Sequence, residues 1–219
     1  MKFTKDEIRR AMLLYAVTDQ GWLKEGQTLL SVCEEVLANG ATFLQIREKD
    51  LSPDAFEAEA ARLKALCDNY HVPFVVNDSV EIALAIDADG VHVGQSDIRG
   101  RNIRAIIGPD KILGISAGTV EEAVAAETAG ADYIGVGAVF PTGTKKNARN
   151  LTVEKLREIC DAVSIPVVAI GGIHAKNLPA LKGSGVDGVA VVSAIFAAHD
   201  PAKATRELLT LSREMAAHG

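Results

Sequence analysis

The sequence IDADGVHV at residues 86–93 is repeated in recognisable form as TAGADYIGV at 128–136 and GSGVDGVAVV at 183–192. In each copy, small residues and glycine surround an aspartate, and an apolar run follows. This order is typical of a helix that ends and leads directly into a buried strand. Its recurrence along one chain indicates a fold built from repeated strand and helix units.

Short apolar strands alternate with amphipathic helices along the whole chain. We predict strands at 13–19, 43–48, 74–77, 90–94, 112–116, 133–138, 167–172 and 188–194. Eight units of roughly 25 residues are what a (β/α)₈ barrel requires. We therefore predict an α/β fold, a single TIM-barrel domain over residues 1–219, with an extra N-terminal helix at 1–12. An open doubly wound sheet would need a GxGxxG turn after its first strand, and VTDQGWL at 17–23 contains none.

The composition argues against several classes of protein. The 219 residues are 48% hydrophobic and carry a net charge of −6, which predicts a soluble, cytoplasmic protein that does not bind nucleic acid in bulk. No apolar stretch is long enough to suggest a membrane span, and the N-terminus has no signal-peptide pattern. The three cysteines lie in helical patterns without metal-ligand spacing, so we interpret them as small buried side chains.

Polar residues collect at the predicted strand ends, where a TIM barrel carries its functional groups. In Gln45-Ile46-Arg47-Glu48-Lys49, the period of two places Gln45, Arg47 and Lys49 on one face. Two cations on this face favour an anionic ligand, because burying unpaired charges is costly. The alternative is an internal salt bridge, with Asp78 as a candidate partner.

Two carboxylates follow neighbouring strands. Asp78 comes directly after the third strand and Asp97 shortly after the fourth. Mg²⁺ is typically held by one or two carboxylates, with waters and substrate phosphates completing its shell. The pair facing Arg47 and Lys49 therefore predicts a site for Mg²⁺ and a diphosphate. Each aspartate taken alone could instead be a helix N-cap.

A second anion site is predicted from the later strands. Ser116 ends the fifth strand, and the loop PTGTKK at 141–146 offers hydroxyls and lysines, although it could be a plain basic surface loop. Gly171-Gly172 follows the seventh strand, and Val192-Ser193 opens the final helix; loops after these two strands commonly hold a phosphate. Two phosphorylated substrates at one barrel mouth indicate a transferase. His92 and His174 are interpreted as structural.

Seven motifs in register make the chain resemble the thiamine-phosphate synthase (thiamin phosphate pyrophosphorylase) family. They are QIREK (45–49), VVND (75–78), HVGQSD (92–97), GISA (114–117), TGTKK (142–146), AIGGI (169–173) and VVSAI (191–195). The resemblance runs from Tyr15 to Asp200, although KNARN at 146–150 has no match. It implies that hydroxymethylpyrimidine diphosphate condenses with a thiazole phosphate, which in many organisms is carboxylated and loses CO₂, to give thiamine phosphate and pyrophosphate.

The resemblance also implies the roles of individual residues. Asp78 and Asp97 would hold one Mg²⁺ per subunit, and the catalytic residues would be Arg47, Lys49, Ser116 and Lys145. The residues implied for the pyrimidine diphosphate are Gln45, Ile46, Arg47, Glu48, Lys49, Asn77, Ser116 and Lys145, and those for the thiazole phosphate are Thr142, Gly143, Thr144, Gly171, Val192 and Ser193. The implied partners are small phosphorylated molecules; whether the chain forms a homo-oligomer is left open.

Three other functions would require some of the same predicted site residues. A thiazole tautomerase shares the fold and the phosphate end but would not need the diphosphate residues. An enzyme acting on phosphoribosyl-type substrates should show a central acid and base pair, which the sequence does not offer. A non-catalytic barrel that binds thiamine precursors would not need the metal carboxylates.

Overall fold

The structure is a computed structural model that describes residues 2–98, 100–142 and 151–217. Its strands form a closed parallel barrel in which each pairs with the next along the chain and the last pairs with the first. They are β1 (Leu14–Val17), β2 (Phe43–Ile46), β3 (Phe74–Asn77), β4 (Gly90–Val93), β5 (Ile112–Ala117), β6 (Tyr133–Gly137), β7 (Val167–Ile170) and β8 (Gly188–Val191). The predicted TIM barrel is confirmed.

Helices connect most of the strands along the outside of the barrel. In the described residues these are α1 (Lys5–Ala11), α2 (Leu29–Ala38), α3 (Pro53–Tyr70), α4 (Val80–Ala85), α5 (Ile103–Ile107), α6 (Val120–Thr128), α7 (Val153–Asp161), α8 (Ser193–Phe196) and α9 (Pro201–Ala216). As the sequence predicts, Ser52 and Thr119 cap α3 and α6 through their side chains. Within the described part of the chain, no helix is both long and apolar enough to cross a membrane.

Two predictions about the connections are wrong. The segment between β7 and β8 contains a 3₁₀ helix, Leu178–Leu181, and no α-helix. Pro179 and the positive φ angles of Gly183 and Gly185 limit regular helix there. Val192-Ser193 opens α8, a four-residue helix, while the final helix is α9.

The hydrophobic core has two parts. The larger fills the space between the barrel wall and the outer helices. The smaller lies inside the barrel and includes Tyr15, Phe43 and Tyr133, together with Ile8 and Met12 from α1 and the residue after it. Because Ile8 and Met12 pack against this interior layer, α1 closes the end of the barrel opposite the strand carboxyl termini. The predicted N-terminal helix is therefore present and has a structural role.

We expect Ile8→Ala to lower the free energy of unfolding by about 2–5 kcal/mol, because the side chain is 1% exposed and the variant leaves a cavity at the barrel end. Chemical denaturation monitored by circular dichroism measures the change. Arg10→Ala, at an exposed position of the same helix, is the control and should stay within about 0.5 kcal/mol. Equal stability of both variants would contradict the closing role of α1.

The cysteines occupy the positions predicted for them. Cys33 and Cys67 are buried and Cys160 is half-buried, and all of them are free thiols. Burial raises the pKa of each thiol, for Cys160 to about 12. These thiols are therefore protonated at neutral pH and act as small apolar side chains.

Candidate functional site

The carboxyl ends of β2 and β3 form one wall of the barrel mouth, with a pocket of about 340 Å³. The residues that line it are Arg47, Glu48, Lys49, Phe56, Asn77, Asp78, Ser79 and Glu81. The structure thus brings together four of the eight residues predicted for the pyrimidine diphosphate, Arg47, Glu48, Lys49 and Asn77, and one of the two predicted metal ligands, Asp78. Gln45, Ile46, Ser116 and the second predicted metal ligand, Asp97, do not line this pocket.

Side chains alternate as predicted only as far as Ile46, where β2 ends; beyond it, Glu48 lines the pocket together with Arg47 and Lys49, although the period of two predicts it on the opposite face. Gln45 is buried inside the barrel, whereas Ile46 packs in the outer core, which leaves only its backbone for a ligand. Beyond the strand, the Arg47 amide donates to the Thr18 hydroxyl at 2.9 Å. Glu48 is buried and accepts from the Gln20 amide at 2.9 Å. Anchored in this way, the segment presents Arg47 and Lys49 to the pocket.

Glu48 has an unusual environment. Its Oε1 atom is buried and has no hydrogen-bond partner in the structure. Burial raises the pKa of its carboxyl group. Its second oxygen binds the short 3₁₀ helix Gln20–Trp22, so the side chain ties the loop after β1 to the loop after β2.

The predicted alternative of an internal salt bridge is not observed. Among the residues described in the structure, no carboxylate lies within 4.0 Å of the Arg47 guanidinium or the Lys49 ammonium. Arg47 is half-buried and Lys49 is exposed. Both cations can therefore meet an anionic ligand without breaking an existing ion pair.

The helix-cap alternative is wrong for both aspartates. Ser79 caps α4 and Asn102 caps α5, each through its side chain. Asp78 stands before the cap with φ of 62°, a conformation that aspartate adopts more readily than most residues. Its amide donates to the His92 carbonyl at 2.8 Å, which fixes the end of β3 against β4.

The two carboxylates lie close enough to affect each other. Partial desolvation in the pocket and, second, the charge of Asp97 raise the pKa of Asp78, while Lys49 and Arg47 act in the opposite direction. Asp97 accepts from the Gly94 amide at 2.8 Å through Oδ2. A carboxylate whose pKa is raised by a second carboxylate nearby is suited to a divalent cation, and two carboxylates suffice for Mg²⁺. The described residues hold no larger cluster of His, Cys, Asp and Glu.

Ser116 lies near the end of β5, half-buried. Its hydroxyl is 2.9 Å from His92 Nε2, and its carbonyl accepts from the Gln95 side chain at 2.7 Å. His92 is buried, in keeping with the structural role predicted for it, but its ring contacts a predicted substrate residue. Gln95 was not predicted as a site residue, although it lies within the HVGQSD motif.

A second, larger pocket of about 1070 Å³ opens on the same mouth, at the ends of β1, β6, β7 and β8. Thr142 and Ser193 line it, as predicted for the thiazole phosphate, and Gly172 joins them. Gly171 and Val192 are the chain neighbours of these lining residues. The predicted residues Gly143, Thr144 and Lys145 lie outside the residues that the structure describes.

The two residues after β7 must be glycine because of their backbone angles and the atoms packed against them. Gly171 and Gly172 have φ of 102° and 66°. A Cβ on Gly171 would lie 2.5 Å from the Ala138 Cβ, and one on Gly172 would lie 2.4 Å from the Pro141 carbonyl oxygen. The pair therefore allows the segment after β6 to pack against the loop after β7, and this contact shapes the second pocket.

Several lining residues of the second pocket were missed from the sequence. They are Asp19, Gly21, Trp22, Phe140, Ile173, Asn177, Ala194 and Ala197. His174, interpreted from the sequence as structural, also lines the pocket, as does Pro141 from the predicted loop 141–146. Trp22 is 46% exposed, an unusual exposure for a large apolar ring. Its place in a loop directly after a barrel strand was a usable signal, because such loops form the functional end of a TIM barrel.

Comparison with protein families agrees with this geometry. The model of the family described as thiamine monophosphate synthase matches residues 14–195. A thiamine-phosphate synthase from Clostridium tetani is 49% identical over 195 residues, 89% of this chain and 93% of that protein. One from Ruminiclostridium cellulolyticum is 50% identical over 198 residues, 90% of this chain and 94% of that protein.

A solved structure gives the same result at the level of the fold. Thiamine phosphate pyrophosphorylase from Pyrococcus furiosus superposes with a TM-score of 0.86 and 40% sequence identity, over 95% of this chain and 98% of that chain. A synthase from Thermoplasma acidophilum, solved with sn-glycerol-1-phosphate, shares only 16% identity at a TM-score of 0.70, which supports the fold alone.

Proposed function

This chain belongs to the thiamine monophosphate synthase family, and from that premise we propose the reaction that it carries out. Membership makes it a transferase of thiamine biosynthesis. We propose that it joins 4-amino-2-methyl-5-hydroxymethylpyrimidine diphosphate to a thiazole phosphate, giving thiamine phosphate and pyrophosphate. With a carboxylated thiazole phosphate, CO₂ is a further product.

One observation carries the proposal: two pockets of different character open on a single barrel mouth. The first has two cations that no described carboxylate pairs, and Asp78, whose pKa is raised by burial and by the nearby Asp97; this combination suits a diphosphate with a divalent cation. The second is larger and has hydroxyl groups and a glycine-bounded loop, which suit a ring with a single phosphate. A transferase that joins two phosphorylated substrates needs both pockets side by side.

The first pocket stabilises the leaving group. Arg47 and Lys49 would neutralise charge as the bond between the pyrimidine methylene and the diphosphate oxygen breaks and its electron pair moves to the diphosphate. Asp78 and Asp97 would hold Mg²⁺, which supplies further neutralisation of the diphosphate when bound. The amino-substituted pyrimidine ring can delocalise the positive charge left on the methylene, so the proposed step is dissociative.

The second pocket orients the nucleophile. Ser193, Thr142 and the Gly171-Gly172 loop would hold the thiazole phosphate so that the thiazole nitrogen faces the methylene and forms the new C–N bond. No general base is required for this step. Gly143, Thr144 and Lys145, predicted to contact the same substrates, remain predictions. Oligomerisation and the cytoplasmic location also stay predictions.

The test is an assay of both products. Purified protein is mixed with the pyrimidine diphosphate and carboxythiazole phosphate, with and without Mg²⁺, and thiamine phosphate and pyrophosphate are measured in the same samples. We expect both products in equal amounts, and only with the metal. A folded protein that binds thiazole phosphate by calorimetry but releases neither product would overturn the proposed reaction and favour a tautomerase or a binding protein.

We expect Ser193→Ala to raise the KM for thiazole phosphate about 10- to 100-fold, with a smaller effect on kcat, because it removes a hydrogen bond to a charged group. Steady-state kinetics with the pyrimidine diphosphate saturating measures both constants. Ser193→Thr keeps the hydroxyl and should stay closer to the parent. A fall in kcat at unchanged KM would reassign Ser193 to the chemical step.

A further inference from the structure

A series of hydrogen bonds, here called the directed chain, joins polar side chains across the interior of the barrel. The Gln45 amide nitrogen on β2 donates to the Tyr15 hydroxyl on β1. The Tyr15 and Tyr133 hydroxyls are 2.8 Å apart, and the Tyr133 hydroxyl is 3.0 Å from His92 Nδ1. His92 Nε2 then reaches the Ser116 hydroxyl at 2.9 Å. The chain thus joins residues predicted to bind one substrate, Gln45 and Ser116, through three residues to which no function has been assigned.

The surrounding strands leave space for this chain. A Cβ on Gly114 would lie 2.3 Å from the Tyr133 hydroxyl and 2.5 Å from His92 Nδ1. A Cβ on Gly135 would lie 3.2 Å from His92 Cε1. Glycine is unfavourable within strands, so its presence at both positions indicates a close approach of other atoms. Here the approaching atoms belong to Tyr133 and His92.

The number of protons available fixes which group donates in each hydrogen bond of this chain of side chains. Burial raises the pKa of Tyr15 and of Tyr133, so each phenol keeps its single proton. With Gln45 as donor to the Tyr15 oxygen, Tyr133 is the one described side chain left within hydrogen-bond distance to accept the Tyr15 proton. In the fully satisfied arrangement, Tyr15 therefore donates to Tyr133, and Tyr133 donates to His92 Nδ1. With Nδ1 accepting, the ring proton lies on Nε2, which donates to the Ser116 oxygen. In this arrangement every buried proton has an acceptor, as buried polar groups require.

We propose that this directed chain holds His92 in its Nε2-protonated form, so that Ser116 accepts from His92 and keeps its own hydroxyl proton for the pyrimidine diphosphate. Tyr15, Tyr133 and His92 are then positioning residues, and Ser116 is the donor that contacts the pyrimidine diphosphate. The role of Ser116 rests on the proposed function, whereas the direction of the chain does not.

The direction is tested on the unliganded protein by nitrogen-15 NMR of histidine-labelled samples. The His92 signals are assigned by their loss in His92→Asn. We expect a protonated Nε2 and an unprotonated Nδ1 in the parent protein. The opposite tautomer, or a ring protonated on both nitrogens at neutral pH, would overturn the proposal. This measurement does not depend on catalysis.

The link to the substrate is tested by a double-mutant cycle of Tyr133→Phe and Ser116→Ala. We expect Tyr133→Phe alone to lower kcat/KM for the pyrimidine diphosphate about 3- to 10-fold, the size of one lost hydrogen bond. In the Ser116→Ala background the same change should have less than about a 2-fold effect, because the residue it positions is gone. Equal falls in both backgrounds would indicate a merely structural role and contradict the proposal.

The outcomes separate this inference from the proposed function. If the parent protein makes no thiamine phosphate, the proposed reaction fails, whatever the tautomer of His92. If the parent is active but His92 has the opposite tautomer, or the cycle shows no coupling, the reaction stands and the directed chain fails. Thermal melting of each variant confirms that the kinetics report on folded protein.

Discussion

Asp78→Asn is expected to raise the Mg²⁺ concentration needed for half-maximal activity by at least about 100-fold. Loss of groups that only support a metal ligand already costs about 10- to 100-fold in affinity or activity, and Asp78 is a proposed ligand itself. Asparagine keeps the shape of the side chain and tolerates the φ of 62° at this position. The change therefore removes a charge without disturbing the backbone.

A second readout of the same variant does not depend on activity. The pKa of Asp78 is raised in the folded protein, so the folded state holds a proton there more tightly than the unfolded state. Without metal, ionised Asp78 therefore destabilises the fold above this raised pKa, and stability increases as the pH falls through it. At neutral pH without metal, we expect Asp78→Asn to melt at a higher temperature than the parent protein.

Adding Mg²⁺ should reverse this order. A ligand that binds only the folded state raises the melting temperature, and the parent protein should respond far more than the variant. Asp87→Asn is a matched control because Asp87 also has a positive φ, 52°, but lies away from the pocket. It should respond to Mg²⁺ as the parent does. Unchanged Mg²⁺ titrations in both Asp78→Asn and Asp97→Asn would contradict the metal site.

The barrel and the side-chain clusters at its mouth could be predicted from the sequence because strand periodicity is a local property. In a parallel barrel, residues at the ends of successive strands meet at one edge whatever the details of packing. Arg47, Lys49 and Asp78 therefore converge once the strands are assigned correctly. The same logic placed Thr142 and Ser193 in one pocket.

Contacts that depend on register across the barrel could not be predicted in this way. Tyr15 and Tyr133 are 118 positions apart, and their hydrogen bond depends on the exact height of β1 and β6 inside the barrel. Local patterns were also ambiguous at helix starts. An aspartate followed by serine offers two caps, and only the structure shows that Ser79, and not Asp78, takes that role.

Arg47→Ala is expected to lower kcat by about 10²- to 10³-fold, the cost of removing one preorganised group that stabilises charge in a transition state. The side chain is half-buried in the first pocket, and no described carboxylate pairs with it. Its charge therefore stays available for the diphosphate, whose negative charge increases as the bond to the methylene breaks. An interaction that strengthens in the transition state should appear in kcat more than in KM.

Two control variants distinguish this role from a general effect of charge. Arg47→Lys keeps the charge but loses the bidentate fork, so we expect an intermediate kcat. Arg62→Ala removes an exposed arginine that pairs with Glu59 on α3 and should leave kcat unchanged. Single-turnover kinetics measures the chemical step directly. If Arg47→Ala changed only the KM for the pyrimidine diphosphate, Arg47 would bind the ground state and the transition state equally, and leaving-group stabilisation would rest on Lys49 and the metal.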